Sequence, residues 1–385
     1  MKRSTEKILT THVGSLPDFV ALDPNAPDHE TKLRALVAEA VTKQRATGLD
    51  IINEGEFAKY GDWLRYAESR LGGCEPRKVA STVFIEGKDR EEFAAFYKYA
   101  TERGTLFYRP NEDLSRGASF FACTGPITYQ GQAAMAREIE VFRAALGAHP
   151  PQDAFLTTTA PASLEPYRKN EFYKSEEEFV YAIADAMRTE YQMIAKAGFL
   201  VQVDDAWIPA LWDRIGIKMG LAAFKKYCMM RVEALNHALK GIAPEQIRYH
   251  FCWGSWHGPH VYDIAMADIV DVMLCVNAQC YLFEAANARH EHEYVVWESV
   301  KLPPGKIIVP GMVTHSTDVV EHPELVSQRI QRFAKLVGKE NVMAGADCGF
   351  SSQALYKTEV HHTVVWEKFR AMREGADIAS KQLWH

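Results

Sequence analysis

Three times along this chain a helical stretch with one apolar face ends at a glycine, enters a short apolar run, and stops at acidic or thiol residues. In the first, Leu33, Leu36, Val37 and Val41 share a helical face, Gly48 ends the helix, Ile51-Ile52 forms a strand, and Glu54 and Glu56 follow. In the second, Ser175 and Glu178 form a capping box, and Phe179, Ile183, Met187, Tyr191 and Ile194 recur at helical period. Gly198 then ends that helix, Leu200–Val203 is the strand, and Asp204-Asp205 stands at its carboxyl end. The third runs to Gly338, Val342–Ala346 and Asp347-Cys348. Further strands are predicted at Ile8–Thr11, Ala154–Thr158, Ile247–Cys252, Cys280–Phe283 and Ile307–Val309, which brings the number to eight. Helix and strand in alternation predict an α/β chain with a parallel sheet. Eight units favour a (β/α)8 TIM barrel, with its chemistry at the carboxyl ends of the strands. A doubly wound open sheet is the alternative, but no G-x-G-x-x-G or P-loop follows any strand.

Residues 58–151 break the pattern with a charged, aromatic run (87–104) and a strand-like piece (117–129). They read as an elaboration between strands two and three, serving as a lid or an oligomer contact. No internal repeat, low-complexity tract or linker interrupts the 385 residues, so a single domain spanning 1–385 is expected. A net charge of −6 gives no electrostatic basis for binding nucleic acid or a membrane surface. No signal-peptide core and no run of about 18 apolar residues is present. The seven cysteines are odd in number and lack framework spacing, which fits reduced thiols in a cytoplasm.

Four residues have the chemistry of a metal site. His250 and Cys252 are two apart on a predicted strand, so both point to one face. Glu284 follows another apolar run 32 residues after Cys252, and Cys348 follows the last strand 64 residues later. One βα unit takes roughly 30 residues, so these intervals are about one and two units. Histidine, two thiols and a carboxylate at one rim form a zinc set, because zinc accepts mixed N, S and O donors. Cys275 and Cys280 read as core, Cys123 falls in the elaboration, and Cys74 and Cys228 lack polar company. His257 and His260 belong to a loop that lines a pocket or faces solvent, and Trp253 and Trp256 are candidates for a wall that selects a substrate.

In order along the chain, "HVGS" (12–15), "NEGEF" (53–57), "TTTAPASLEPY" (157–167), "VQVDDAW" (201–207), "HFC", "FEAAN", "VTHSTD" (313–318) and "DCGF" resemble motifs of the cobalamin-independent methionine synthase family, specifically its C-terminal catalytic barrel. The resemblance implies zinc held by His250, Cys252, Glu284 and Cys348, and a thiol such as homocysteine as methyl acceptor. It further implies amino-acid recognition by Gly14, Ser15, Glu56 and Asp204, with His315 as the catalytic acid. Glu54 stands where the family usually has a histidine, and Asp205-Ala206-Trp207 replaces its Glu-Pro. The family's second, N-terminal barrel has no counterpart here. These departures fall on the side of the methyl donor. They keep open a transferase that joins an epoxide or alkyl group to a thiol, like the epoxyalkane:coenzyme M transferases, which the chain also resembles in size and zinc motif. A metal-free barrel of the uroporphyrinogen decarboxylase type and a non-catalytic zinc protein are further alternatives. The partners expected are a small thiol and a methyl or alkyl donor, with no nucleic acid and no membrane, and a homo-oligomer left open.

Overall fold

The computed structural model describes residues 1–17, 22–23, 25–59, 62–79, 86–105, 118–352 and 360–384. The parts of the predicted elaboration at 60–61, 80–85 and 106–117 lie outside the described residues. The described strands are β1 (Leu71–Val79), β2 (Ala118–Tyr129), β3 (Phe155–Thr159), β4 (Arg168–Asn170), β5 (Leu200–Asp205), β6 (Ile247–Phe251), β7 (Cys280–Phe283), β8 (Ile307–Val313) and β9 (Gly345–Ala346).

Six of them form one parallel sheet in the order β3-β5-β6-β7-β8-β9. Every residue of these six strands is buried, as their near-continuous apolar runs require when both faces of a parallel sheet are covered. The predicted strands at 8–11 and 51–52 appear only as single bridges, Thr10 to Ala344 and Ile52 to Ala154. Their backbones still meet, since Thr10 O accepts from the N–H groups of Asp50 and Ile51 at 3.0 and 3.1 Å. The sheet therefore curls, and these two stretches link its β9 edge to its β3 edge. The curl encloses a small core that includes Leu9, Ile51, Phe155, Leu282 and Ile307. Arg248 lies over the Phe155 ring at 4.0 Å and donates to Gln202 Oε1, Thr11 Oγ1 and the carbonyl of His12.

Long helices, among them His29–Thr47, Glu176–Lys196, Leu221–Ala238, Pro323–Val337 and His362–Trp384, alternate with the strands, and their apolar stripes join the main core. The predicted cap at Ser175 is present, its hydroxyl accepting from Glu178 N at 3.1 Å. The Glu178 carboxylate answers to the N–H of Lys174, one residue before the usual capping-box partner.

Within 58–151, β1 pairs antiparallel with β2, and β2 runs parallel to β4 from beyond that segment, making a second, three-stranded sheet. Helix Gln132–Leu146 of the same segment packs against His29–Thr47 and Glu176–Lys196. A buried ionic cluster fastens the small sheet to the main body. The Glu190 carboxylate accepts from Arg70 (2.9 Å), Tyr129 (2.6 Å), Tyr66 (2.9 Å) and Thr158 (2.7 Å), and Arg70 also pairs with Glu138. Burial alone would raise the Glu190 pKa, but Arg70 and the hydroxyl donors hold it below its ordinary value. Helices Lys88–Glu92 and Ala94–Arg103 reach the loops at the sheet's carboxyl end, where Asp89 accepts from the N–H groups of His260 and Val261 at 2.9 and 3.0 Å. No helix among the described residues is long and apolar enough to cross a membrane.

Candidate metal centre

His250 is the fourth residue of β6, Cys252 follows that strand, Glu284 follows β7, and Cys348 lies two residues past β9. In-register parallel pairing sets these carboxyl ends side by side. Ligand atoms of His250, Cys252 and Cys348 lie within 4.8 Å of one another. The two sulfurs are 3.5 Å apart, and Cys252 Sγ is 3.6 Å from Glu284 Oε1. All four residues are buried.

The His250 ring is oriented from behind: its Nδ1 meets Asp204 Oδ1 at 3.0 Å, while its Nε2 is buried with no hydrogen-bond partner. Buried imidazole nitrogens normally have a partner, so a free Nε2 beside two thiols fits a metal ligand with a carboxylate support. The contact between the two sulfurs, with the nearby His250 ring, holds Cys348 well below an ordinary thiol pKa, while the same contact and burial raise Cys252. Burial pushes Glu284 up to about 7. Trp253 N donates to its Oε1 at 3.1 Å and Asn287 Nδ2 to its Oε2 at 2.7 Å. Asn287 also reaches Asp347 Oδ2 at 3.2 Å, and Asp347 Oδ1 takes the N–H groups of Ala285 and Ala286, both at 2.8 Å. Asp347 thereby fixes the turn that carries Glu284.

Glu284, His315 and Asp347 also bring ligand atoms within 4.8 Å of one another. Asp347, however, holds the backbone N–H groups of Ala285 and Ala286 in the turn that carries Glu284, so we place it as a support. His315 Nδ1 is buried without a partner, and its ring lies 5.7 Å from that of His257. Burial lowers the His315 pKa to about 4. The near-neutral histidine expected of a proton donor is therefore a neutral imidazole in this setting.

The predicted amino-acid site lies beside this cluster. Glu56 has φ 63°, a strained conformation for a residue with a side chain, and its carboxylate points back at Gly14. A Cβ on Gly14 would stand 2.1 Å from Glu56 Oε1, so this close approach needs glycine. Glu56 Oε1 accepts from Thr157 at 2.9 Å and Oε2 is buried with no hydrogen-bond partner, 3.7 Å from Lys59 Nζ. Burial raises the Glu56 pKa, and it raises Glu54 to about 8. Asp204 Oδ1 takes Gln202 Nε2 at 2.9 Å as well as His250. Ser15 lies further along, its Oγ 3.3 Å from Ser352 Oγ and accepting from Ser351 N. Glu56, Asp204 and Glu54, three buried carboxyl groups, all act on the one buried ammonium of Lys59.

Two expectations need correction. Trp253 is no pocket wall: it is fully buried, its indole N–H is used by Ile264 O at 2.8 Å, and its ring packs 4.3 Å from that of His290. His260 stays in a loop as expected, half-buried, with its Nδ1 held by Asp263 at 2.9 Å. Cys275 is exposed at a helix end, although Cys280 is core. Lys59, Asn287 and the supporting role of Asp347 went unread in the sequence. Each left a signal: Lys59 and Asn287 stand three residues after Glu56 and Glu284, and Asp347 precedes Cys348.

A curled parallel sheet that gathers an imidazole, two thiols and several carboxyls at its carboxyl ends defines an α/β enzyme with a candidate metal centre. Residues 159–376 match the catalytic-domain model of the cobalamin-independent synthases, and the chain belongs to that family of methionine synthase-like methyltransferases. It is 23% identical over 231 residues to the methionine synthase of Saccharolobus solfataricus, covering 59% of each chain. It is 22% identical over 226 residues to that of Thermococcus kodakarensis, covering 58% of this chain and 57% of the other. The match thus spans somewhat under three fifths of these relatives' length. Its fold is similar to that of a B12-independent methionine synthase from Shewanella sp. W3-18-1 in complex with selenomethionine, with a TM-score of 0.71, 17% identity, and 98% and 99% of the two chains covered.

Proposed function

We propose that this chain transfers a methyl group from a donor to a zinc-held thiol acceptor of the homocysteine type. The observation that carries the reading is the unpartnered, buried His250 Nε2 facing two thiols, with Asp204 on the other ring nitrogen. One nitrogen, two sulfurs and the Glu284 oxygen make a donor set that suits zinc. A bound zinc would supply the Lewis acidity that keeps an acceptor thiol as its thiolate at neutral pH. Glu284, the one oxygen donor of the four, is held from outside the set through Asn287, as His250 is through Asp204.

The remaining steps belong to the chain's own residues. Glu56 and Asp204 receive the acceptor's ammonium, and Gly14 and Ser15 lie along its carboxylate. The relative whose structure holds selenomethionine supports an acceptor of this shape. His315, neutral and unpartnered at Nδ1, offers an N–H hydrogen bond to the leaving group as negative charge develops there, and that group takes its proton from solvent as it departs. The buried setting excludes water from the reacting thiol. We also read the curled sheet with its two bridging stretches as a (β/α)8 barrel, and residues 1–385 as one domain elaborated at 58–151.

The test is metal analysis with X-ray absorption, with and without homocysteine. About one zinc per chain, gaining a sulfur neighbour when homocysteine is added, is the expected result. Methyl transfer by zinc-free protein would overturn the reading, as would a zinc that ignores the thiol.

A further inference from the structure

At the same carboxyl-end face lies a cation that nothing in the proposed reaction uses. Arg214 sits in a wide, π-type turn, Trp212–Gly216, downstream of β5, and such turns recur at functional sites. It is 8% exposed. Its guanidinium lies over the Trp207 ring at 4.9 Å and the Trp256 ring at 5.1 Å. Its only hydrogen bond among the described residues runs from Nη1 to Ala210 O at 2.5 Å, and its Nε is buried without a partner. No carboxylate among the described residues comes within ion-pair distance. The neighbouring Asp213 is engaged instead by the N–H of Asp89 at 3.2 Å.

Other buried arginines show how unusual this is. Arg231 is matched by Glu165 and Glu176, Arg70 by Glu138 and Glu190, and Arg329 by Glu291. Arg248 lacks a carboxylate but satisfies Nε and both terminal nitrogens. Arg168 also has a single hydrogen bond, to Leu164 O, but it borders the second sheet, over the Phe121 ring. Burial lowers the Arg214 pKa, the nearby Arg90 lowers it further, and Asp213 offsets part of that.

The indole of Trp256 ties this cation to the metal centre. Its benzo edge lies against Gly254, where an added Cβ would stand 1.8 Å from the ring and where φ is 105°. The N–H of the same Gly254 donates to Cys252 Sγ at 3.2 Å. Arg214 is therefore one indole away from a candidate ligand sulfur, close enough to hold the far end of a molecule whose other end reacts there.

We propose that Arg214, flanked by Trp207 and Trp256, is an oxyanion-binding site that takes a carboxylate or phosphate group of the methyl or alkyl donor. A planar guanidinium presents parallel N–H donors to such a group, and aromatic walls strengthen the contact by excluding water. Only the identity of the ligand as the donor rests on the methyl-transfer reading; the anion site itself does not.

The experiment titrates the zinc-loaded enzyme with benzoate, inorganic phosphate and uncharged benzamide, following tryptophan emission. Benzoate, phosphate or both should give a saturable change and benzamide none, and which anion binds tells a carboxylate donor from a phosphorylated one. Arg214→Met should weaken that binding at least tenfold, and Arg214→Lys, which keeps the charge without the fork, should weaken it less. With a competent donor, both variants should raise the donor KM and leave that of the thiol unchanged. The proposal fails if neither anion binds, or if Arg214→Met binds as well as the parent. Zinc content and the thiol-induced change at the metal, read on the same variants, report separately on the methyl-transfer reading.

Discussion

The Glu190 cluster and the carboxyl-end site are built from similar groups and treat them in opposite ways. At Glu190 each carboxylate oxygen has two donors, and the charge on Arg70 is matched by two acids. At the site, His250 Nε2, His315 Nδ1, Glu54 Oε2, Glu56 Oε2 and Arg214 Nε are buried and unsatisfied. A buried polar atom without a partner costs about 1–3 kcal/mol. A protein tolerates several together where something else is to bind. The first region joins two parts of the chain, and the second is held ready for ligands.

Breaking the satisfied region should give the largest change. Glu190→Ala leaves Arg70 half-paired in the interior and should lower stability by about 3–5 kcal/mol in denaturant unfolding. If the variant unfolds with the parent's midpoint, the cluster is not what fastens the small sheet. A smaller effect is expected at the ready region. Asp204→Asn removes the carboxylate behind His250 and should weaken zinc binding about 10- to 100-fold, with little change in the apo protein's stability. Competition against a chelator measures this, and an unchanged zinc affinity would remove Asp204 from the support of the metal.

The smallest effect depends on pH and has opposite signs in the two regions. Glu190 has a lowered folded pKa, so its stabilisation is present above the unfolded carboxyl value and is lost as pH falls through the lower one. Glu54 has a folded pKa raised to about 8, so protons favour the folded state. Its contribution is full below the unfolded value, roughly 4.3, and declines as pH rises towards 8. Glu54→Gln should therefore be close to the parent at pH 4 and progressively more stable than it as pH rises to 8. A difference that does not grow with pH would mean that Lys59 already compensates Glu54.

Much of this was readable in the sequence wherever a local rule applied. Gly48 and Gly198 follow helices as predicted, and apolar runs marked the six strands of the main sheet. Alternation along β6 placed His250 and Cys252, and unit-length spacing brought Glu284 and Cys348 to the same rim. The failures are non-local. β1 reads LGGCEPRKV, with two glycines and a proline, and becomes a strand only because β2 pairs with it. Arg214 and Lys59 look like ordinary surface charges until the fold buries them. Trp253 looked like a pocket wall because aromatic residues in loops often are, and its hydrogen bond to Ile264 O could not be seen from spacing.

The Glu190 cluster also has a consequence in time. Arg70 and Glu190 are 120 residues apart in sequence. At roughly 5–20 residues per second, a ribosome takes about 6–24 s to pass from one to the other. Throughout that interval Arg70 has no Glu190 to close on, so the small sheet's final seating is a late event in the life of the nascent chain.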